Sequence, residues 1–145
     1  MKKLFLAMAA IAVFAFVGCS KDDGGVTPST ENIAGTWEVY KIYEEYDGEK
    51  AVDTEWGVQY GFRWLLKLNK DNSFEEIMME EYNGTWDTDT ESGTYKISGN
   101  KLQLTYFSGD VDEWIVEKLT ASELVLLDEH QGYDEKDRLY FKRIE

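Results

Sequence analysis

A chain of 145 residues, 43% hydrophobic and 14% aromatic, has the apolar mass for one core and one domain. Its 29 acidic against 15 basic residues give a net charge of −14, which argues against electrostatic binding to nucleic acid or to anionic lipid head groups. Such a surface suits open solvent, a basic partner or divalent cations, and solubility alone accounts for it. A single cysteine excludes an intramolecular disulfide. One Pro, twelve Gly, nine Tyr and five Trp favour short strands and turns over helices.

The N-terminus reads as an address. Lys2 and Lys3 precede an unbroken apolar run over residues 4–17, shorter than the ~20 residues of a membrane-spanning helix and fitted to a signal-peptide core. Phe16-Val17-Gly18-Cys19 resembles a bacterial lipobox, with Phe16 where Leu is usual. The resemblance implies a signal peptide over 1–18 and lipidation of Cys19, whose several acyl chains would anchor the protein stably in a membrane. Ser20-Lys21-Asp22-Asp23 resembles the short acidic tag by which some Gram-negative bacteria export lipoproteins. It implies an outer-membrane protein exposed on the cell surface, with the periplasmic face as the alternative. Gly24-Gly25 and Thr27-Pro28-Ser29-Thr30 predict that residues 19–32 form a flexible acidic tether, followed by one domain over 33–145.

From Ile33 onward, period-two alternation dominates. Gly35–Tyr46 predicts a first strand, with Trp37 and Val39 on one face and Thr36, Glu38 and Tyr40 on the other. Asp47-Gly48 signals a turn. The connection to about Tyr60 is long and holds Trp56-Gly57, which predicts either a functional lid or a loop packing Trp56 over the barrel mouth. Phe62–Leu68 is the cleanest strand, its even-numbered apolar residues opposed to Arg63 and Lys67. Residues 74–82 carry apolar groups on both faces through Ile77-Met78-Met79 and predict a bulge or a change of burial. Residues 84–88 and 93–98 flank an expected acidic hairpin tip, Asp87 to Ser92. Lys101–Tyr106 alternates well, and residues 113–119, 123–127 and 138–144 complete the set. About eight antiparallel strands joined by short hairpins predict an all-β, up-and-down barrel, with an open sandwich as the competing architecture.

Gly35-Thr36-Trp37, the run Gly93-Thr94-Tyr95-Lys96-Ile97-Ser98-Gly99-Asn100-Lys101-Leu102 and the closing Tyr140-Phe141-Lys142-Arg143-Ile144 together resemble the lipocalin-like domains of small bacterial lipoproteins. The resemblance implies that Gly35 and Trp37 plug one end of the barrel and that Arg143 stacks over Trp37. The inward faces of such a barrel would line a cup for a small apolar or amphipathic molecule, with Phe62, Trp64, Leu66, Tyr95, Leu104, Tyr106 and Trp114 as its lining. Lys41 shares the parity of Trp37 and would orient an anionic head group there, unless a bulge turns it outward. Arg138-x-Tyr140 resembles the carboxylate grip of fatty-acid-binding proteins, but its parity faces outward.

No catalytic constellation emerges. His130 is the only histidine, the only thiol is the lipidation candidate, and the abundant carboxylates do not single out a pair. The acidic run 87–93 lacks the Gly and Glu spacing of a calcium loop. Neither a cofactor nor a metal is expected. A barrel filled with its own side chains, acting as an accessory module for a protein partner at the cell surface, is the alternative to ligand binding.

Overall fold

The computed structural model describes residues 25–129 and 135–145; the signal peptide, Cys19 and His130 lie outside them. Nine strands follow in order: β1 Gly35–Tyr46, β2 Glu49–Asp53, β3 Phe62–Leu68, β4 Ser73–Tyr82, β5 Thr85–Ser98, β6 Lys101–Tyr106, β7 Val111–Leu119, β8 Glu123–Glu129 and β9 Glu135–Arg143. They pair antiparallel in the order β2-β1-β3-β4-β5-β6-β7-β8-β9, and β9 returns to β1. β1 and β3 to β9 thus close the expected eight-stranded up-and-down barrel, although the stretch of β5 before Gly93 pairs with β4 alone. β2 stands outside it.

Closure is tight at one end only. β1 bonds to β3 over Gly35–Glu38, then diverges and pairs with β2 from Ile42 to Tyr46. The first half of β3 is therefore splayed from β1, and the segment between β2 and β3 folds over the gap. Its backbone is tied down where Gly57 N donates to Phe62 O at 2.7 Å.

Below this mouth the inward faces interlock. Trp37, Val39, Leu68, Phe74, Leu102, Leu119, Leu124, Leu126 and Phe141 are essentially without solvent contact. A four-residue helix, α1 (Thr30–Ile33), seals the base. Ser29 and Asn32 cap it reciprocally, each side chain accepting from the other's backbone N–H. Ile33 is fully buried and its carbonyl accepts a hydrogen bond from Trp37 Nε1 at 2.8 Å. Val26 N donates to Leu119 O at 2.9 Å. The segment expected to be free as far as Asn32 is therefore already bound to the barrel from Val26 onward.

Two local expectations change and a third, open between two outcomes, is resolved. The long connection contains β2, whose five residues are all exposed, so no buried face marks it in the sequence. The acidic hairpin tip does not exist: Asn83-Gly84 makes the turn, both with positive φ, and Asp87 to Ser92 lie within a continuous β5 paired to β4 along its length. The register of β4 is unbroken against both neighbours, so it has no bulge; its burial fades toward Tyr82 instead. Register shifts fall between Val39 and Lys41 in β1 and between Val116 and Lys118 in β7.

Candidate ligand-binding site

The closed end is locked by one guanidinium. Arg143 Cζ lies 4.1 Å from the centre of the Trp37 ring. Its Nε, Nη1 and Nη2 donate to the carbonyls of Ala121, Ala34 and Asn32 at 2.8, 2.7 and 2.8 Å. The planar fork thus joins the β7–β8 turn, the start of β1 and α1 in a single contact, a geometry that Lys cannot reproduce. Gly35, at φ 151°, sits directly beneath it; a Cβ there would overlap the Arg143 side chain.

The middle of the barrel is solid. Leu66, Tyr95 and Leu104 are each 3% exposed and belong to the packed core, not to a cup. Phe74 stands edge-to-face with Tyr106 at 5.1 Å between ring centres. Gly93 makes room for this: a Cβ there would overlap Thr105 O and press on the Phe74 ring. Tyr95 spends its hydroxyl on Asn69 O at 2.7 Å.

The mouth is open and differently built. Trp56 lies 6.3 Å from Phe62 and 6.1 Å from Trp64, ring centre to ring centre. Asp53 Oδ2 fixes it by accepting from Trp56 Nε1 at 2.9 Å. A cavity of about 330 Å³ is lined by Trp56, Phe62, Met78, Met79, Glu80, Asp87 and Asp89. A second, of about 250 Å³, shares Trp56 and Phe62 and is otherwise lined by Asp53, Glu55 and Tyr60.

The floor of the mouth is polar. Glu76 pairs with Leu66 across β3 and with Glu91 across β5, so it points inward. It accepts from Trp64 Nε1 and from the Tyr106 hydroxyl, each at 2.7 Å. The same hydroxyl lies 3.0 Å from Asp112 Oδ2. Burial raises the Glu76 pKa; the hydrogen bonds from Tyr106 and Trp64 oppose the rise, while Glu91 and Asp112 add to it. Burial, together with Glu76 and Asp112, drives the Tyr106 phenol far above its ordinary value, so it remains a donor.

Of the residues expected to line a cup, Phe62 and Trp64 stand at the mouth, and Trp114 faces inward from β7 opposite Leu102. Tyr106 marks the boundary between mouth and core. Lys41 points elsewhere. The shift at Tyr40 puts Lys41 opposite Tyr140 and Ile42 opposite Leu139, so Ile42 takes the inward place. Lys41 Nζ rests on the outer face, 3.6 Å from the centre of the Tyr140 ring. Arg138 also lies outside, held by Glu117 through contacts of 2.7 and 3.0 Å. Glu76, Glu80, Asp87 and Asp89 were not anticipated. Alternation counted on from Phe74 along β4, and back from Tyr95 along β5 through residues 93, 91, 89 and 87, is the signal that puts them on the inward-facing side, where Glu80, Asp87 and Asp89 remain exposed at the rim.

On the outer wall, Glu38 is 5% exposed and receives Arg63 at 2.8 Å and Lys142 at 3.1 Å. Burial alone would raise its pKa, but the bonds to Arg63 and Lys142 outweigh that and hold it below the ordinary value. Among the described residues, no group of three or more His, Cys, Asp or Glu is arranged to hold a metal ion.

The closed base, Trp–Arg lock and open mouth can be set beside known proteins. No curated protein sequence matches the chain. An uncharacterized protein from Bacteroides eggerthii is similar in structure, with a TM-score of 0.51 at 14% identity, over 76% of this chain and 98% of that one. Bovine lipocalin allergen Bos d 2 gives 0.45 at 13% identity, over 79% of this chain and 75% of that one. Bovine odorant binding protein, in complex with a selenium-containing odorant, gives 0.45 at 12% identity, over 86% and 78%. The lipocalin-like domain family matches residues 33–126, from the base of the barrel into β8. That span is more than half of the chain, and the chain belongs to the lipocalin-like domain family.

Proposed function

We propose that this protein is a non-catalytic binding protein that takes a small apolar or amphipathic molecule at the barrel mouth. The observation that carries the reading is the cavity of about 330 Å³ that Trp56 and Phe62 line together with Met78 and Met79, which falls within the ~300–1,000 Å³ range of small-molecule sites. Membership of a family whose barrels bind small hydrophobic molecules supports it. The packed core confines the ligand to the mouth, so a short chain or single ring fits better than a long buried tail. Trp56 is the element that closes over it.

The lipobox resemblance adds an orientation. Val26 is bound to Leu119 at the closed end. A lipid on Cys19, seven residues upstream, would keep that end within about 25 Å of the bilayer even with the chain fully extended. The mouth would then face away from the membrane, toward the medium if the acidic tag directs export to the cell surface.

Native mass spectrometry of the purified protein, before and after organic extraction, tests the binding reading. Extra mass lost on extraction supports it, and the released molecule gives the ligand class. The solid core favours a second reading, an accessory module that binds a protein partner through its acidic surface. A bare mass in both samples, with salt-sensitive capture of a basic partner, would point there.

A further inference from the structure

The mouth has walls of one kind and charges of one sign. Trp56, Phe62 and Met78 supply the apolar surface of the cavity, and Glu80, Asp87 and Asp89 supply its polar groups. Strand register places Glu76, Glu91 and Asp112 inward just below. Among the described residues, the inward positions of β3 to β7 carry no Lys or Arg. The inward guanidinium of the barrel, Arg143, is bound at the opposite end.

The arrangement opposes local stability. Glu80 stands directly opposite Asp87, and Glu76 directly opposite Glu91, on the inner face of the β4–β5 pair. Like charges in directly facing positions destabilise a sheet. On the outer face of the neighbouring β3–β4 pair, by contrast, Glu75 faces Lys67 and binds it at 3.4 Å. A fold that pairs opposite charges on its outer wall and faces like charges at the open rim of its mouth places a repulsion where a bound cation would relieve it. The donor set does not group for a metal ion. Aromatic faces beside carboxylates instead suit an ammonium head, held by cation–π attraction and charge together.

Resting on the binding reading above, we propose that the mouth selects organic cations: an amine or quaternary ammonium head against Glu80, Asp87 and Asp89, with its apolar part under Trp56 and Phe62. An anionic amphiphile of the same length is excluded by the same carboxylates.

The test uses three probes of matched chain, decyltrimethylammonium, 1-decanol and decyl sulfate, titrated into the purified protein below their micelle concentrations and followed by calorimetry. The ammonium should bind about tenfold more tightly than the alcohol, the scale set by a partly desolvated cation–π contact with added charge, and the sulfate should not bind. The Asp87→Asn/Asp89→Asn variant removes repulsion rather than a packing contact and should keep the fold. It should lose the preference for the ammonium over the alcohol. The outer-face variant Glu75→Gln/Glu113→Gln should keep that preference. Equal affinity for ammonium and alcohol would overturn the proposal and leave the binding reading standing. So would a preference that survives in Asp87→Asn/Asp89→Asn, since the charge of the whole chain would then be its source. Binding of none of the three probes would sink both readings.

Discussion

Arg143→Ala is predicted to destabilise the barrel more than any other single substitution of a charged residue at the closed end. The guanidinium makes three hydrogen bonds to backbone carbonyls and one ring contact. At a net ~0.5–1 kcal/mol for each bond, reduced because water can reach part of the group, and about 1 kcal/mol for the ring, the loss comes to roughly 3 kcal/mol. For a domain of this size that lowers Tm by roughly 12 °C. Arg143→Lys keeps the charge but cannot span three carbonyls, and should lose about half as much. Urea unfolding followed by tryptophan fluorescence reads both, with the slope of the transition unchanged. Gly35→Ala should damage the same contact, since its Cβ occupies the space of the Arg143 side chain. The double variant should then cost less than the sum of the two. A loss under ~0.5 kcal/mol for Arg143→Ala, or strict additivity with Gly35→Ala, would refute the lock as the element that holds the base together.

Further outcomes follow from the barrel wall and interior. Glu38 titrates below its ordinary value of 4.5, so its stabilisation is complete above that value and is lost as pH falls through the lower native pKa. Glu38→Gln should therefore cost about 2 kcal/mol at pH 7 and progressively less below pH ~4, by urea midpoints across pH. Glu76 is raised above 4.5, so ionising it opposes folding; that penalty is absent below 4.5 and complete above the raised native pKa. Glu76→Gln should gain stability relative to the parent as pH rises from 4 to 8; a flat difference across that range would contradict its burial. Gly93→Ala should cost about 2–4 kcal/mol by displacing Phe74 and the β6 backbone, measured by thermal unfolding and by loss of near-ultraviolet dichroism from the Phe74–Tyr106 pair.

Much of the barrel is legible because its base obeys one rule. Leu66, Leu68, Leu102, Leu104, Leu139 and Phe141 recur at every second position of their strands, and each faces the core. The Trp37–Arg143 contact is readable for a related reason: in an even-stranded up-and-down barrel the last strand runs back beside the first. The mouth is less legible because there the inner face is polar. Asp87, Asp89 and Glu91 read as a loop when acids are taken for solvent-exposed turns, although they alternate in step with Tyr95. β2 has no buried face and so leaves no apolar pattern. Lys41 misleads because the extra residue at Tyr40 arises from pairing with β9, a partner about a hundred residues away that local alternation does not record.

The mouth, and not the interior, is the proposed seat of the ligand. Backbone amide chemical shifts recorded while 1-decanol is titrated into the purified protein test it most directly. Saturable shifts are expected at Trp56, Phe62, Trp64, Met78 and Asp89, with Leu102, Leu124 and Phe141 unmoved. Shifts centred on those core residues, or none that saturate, would contradict it.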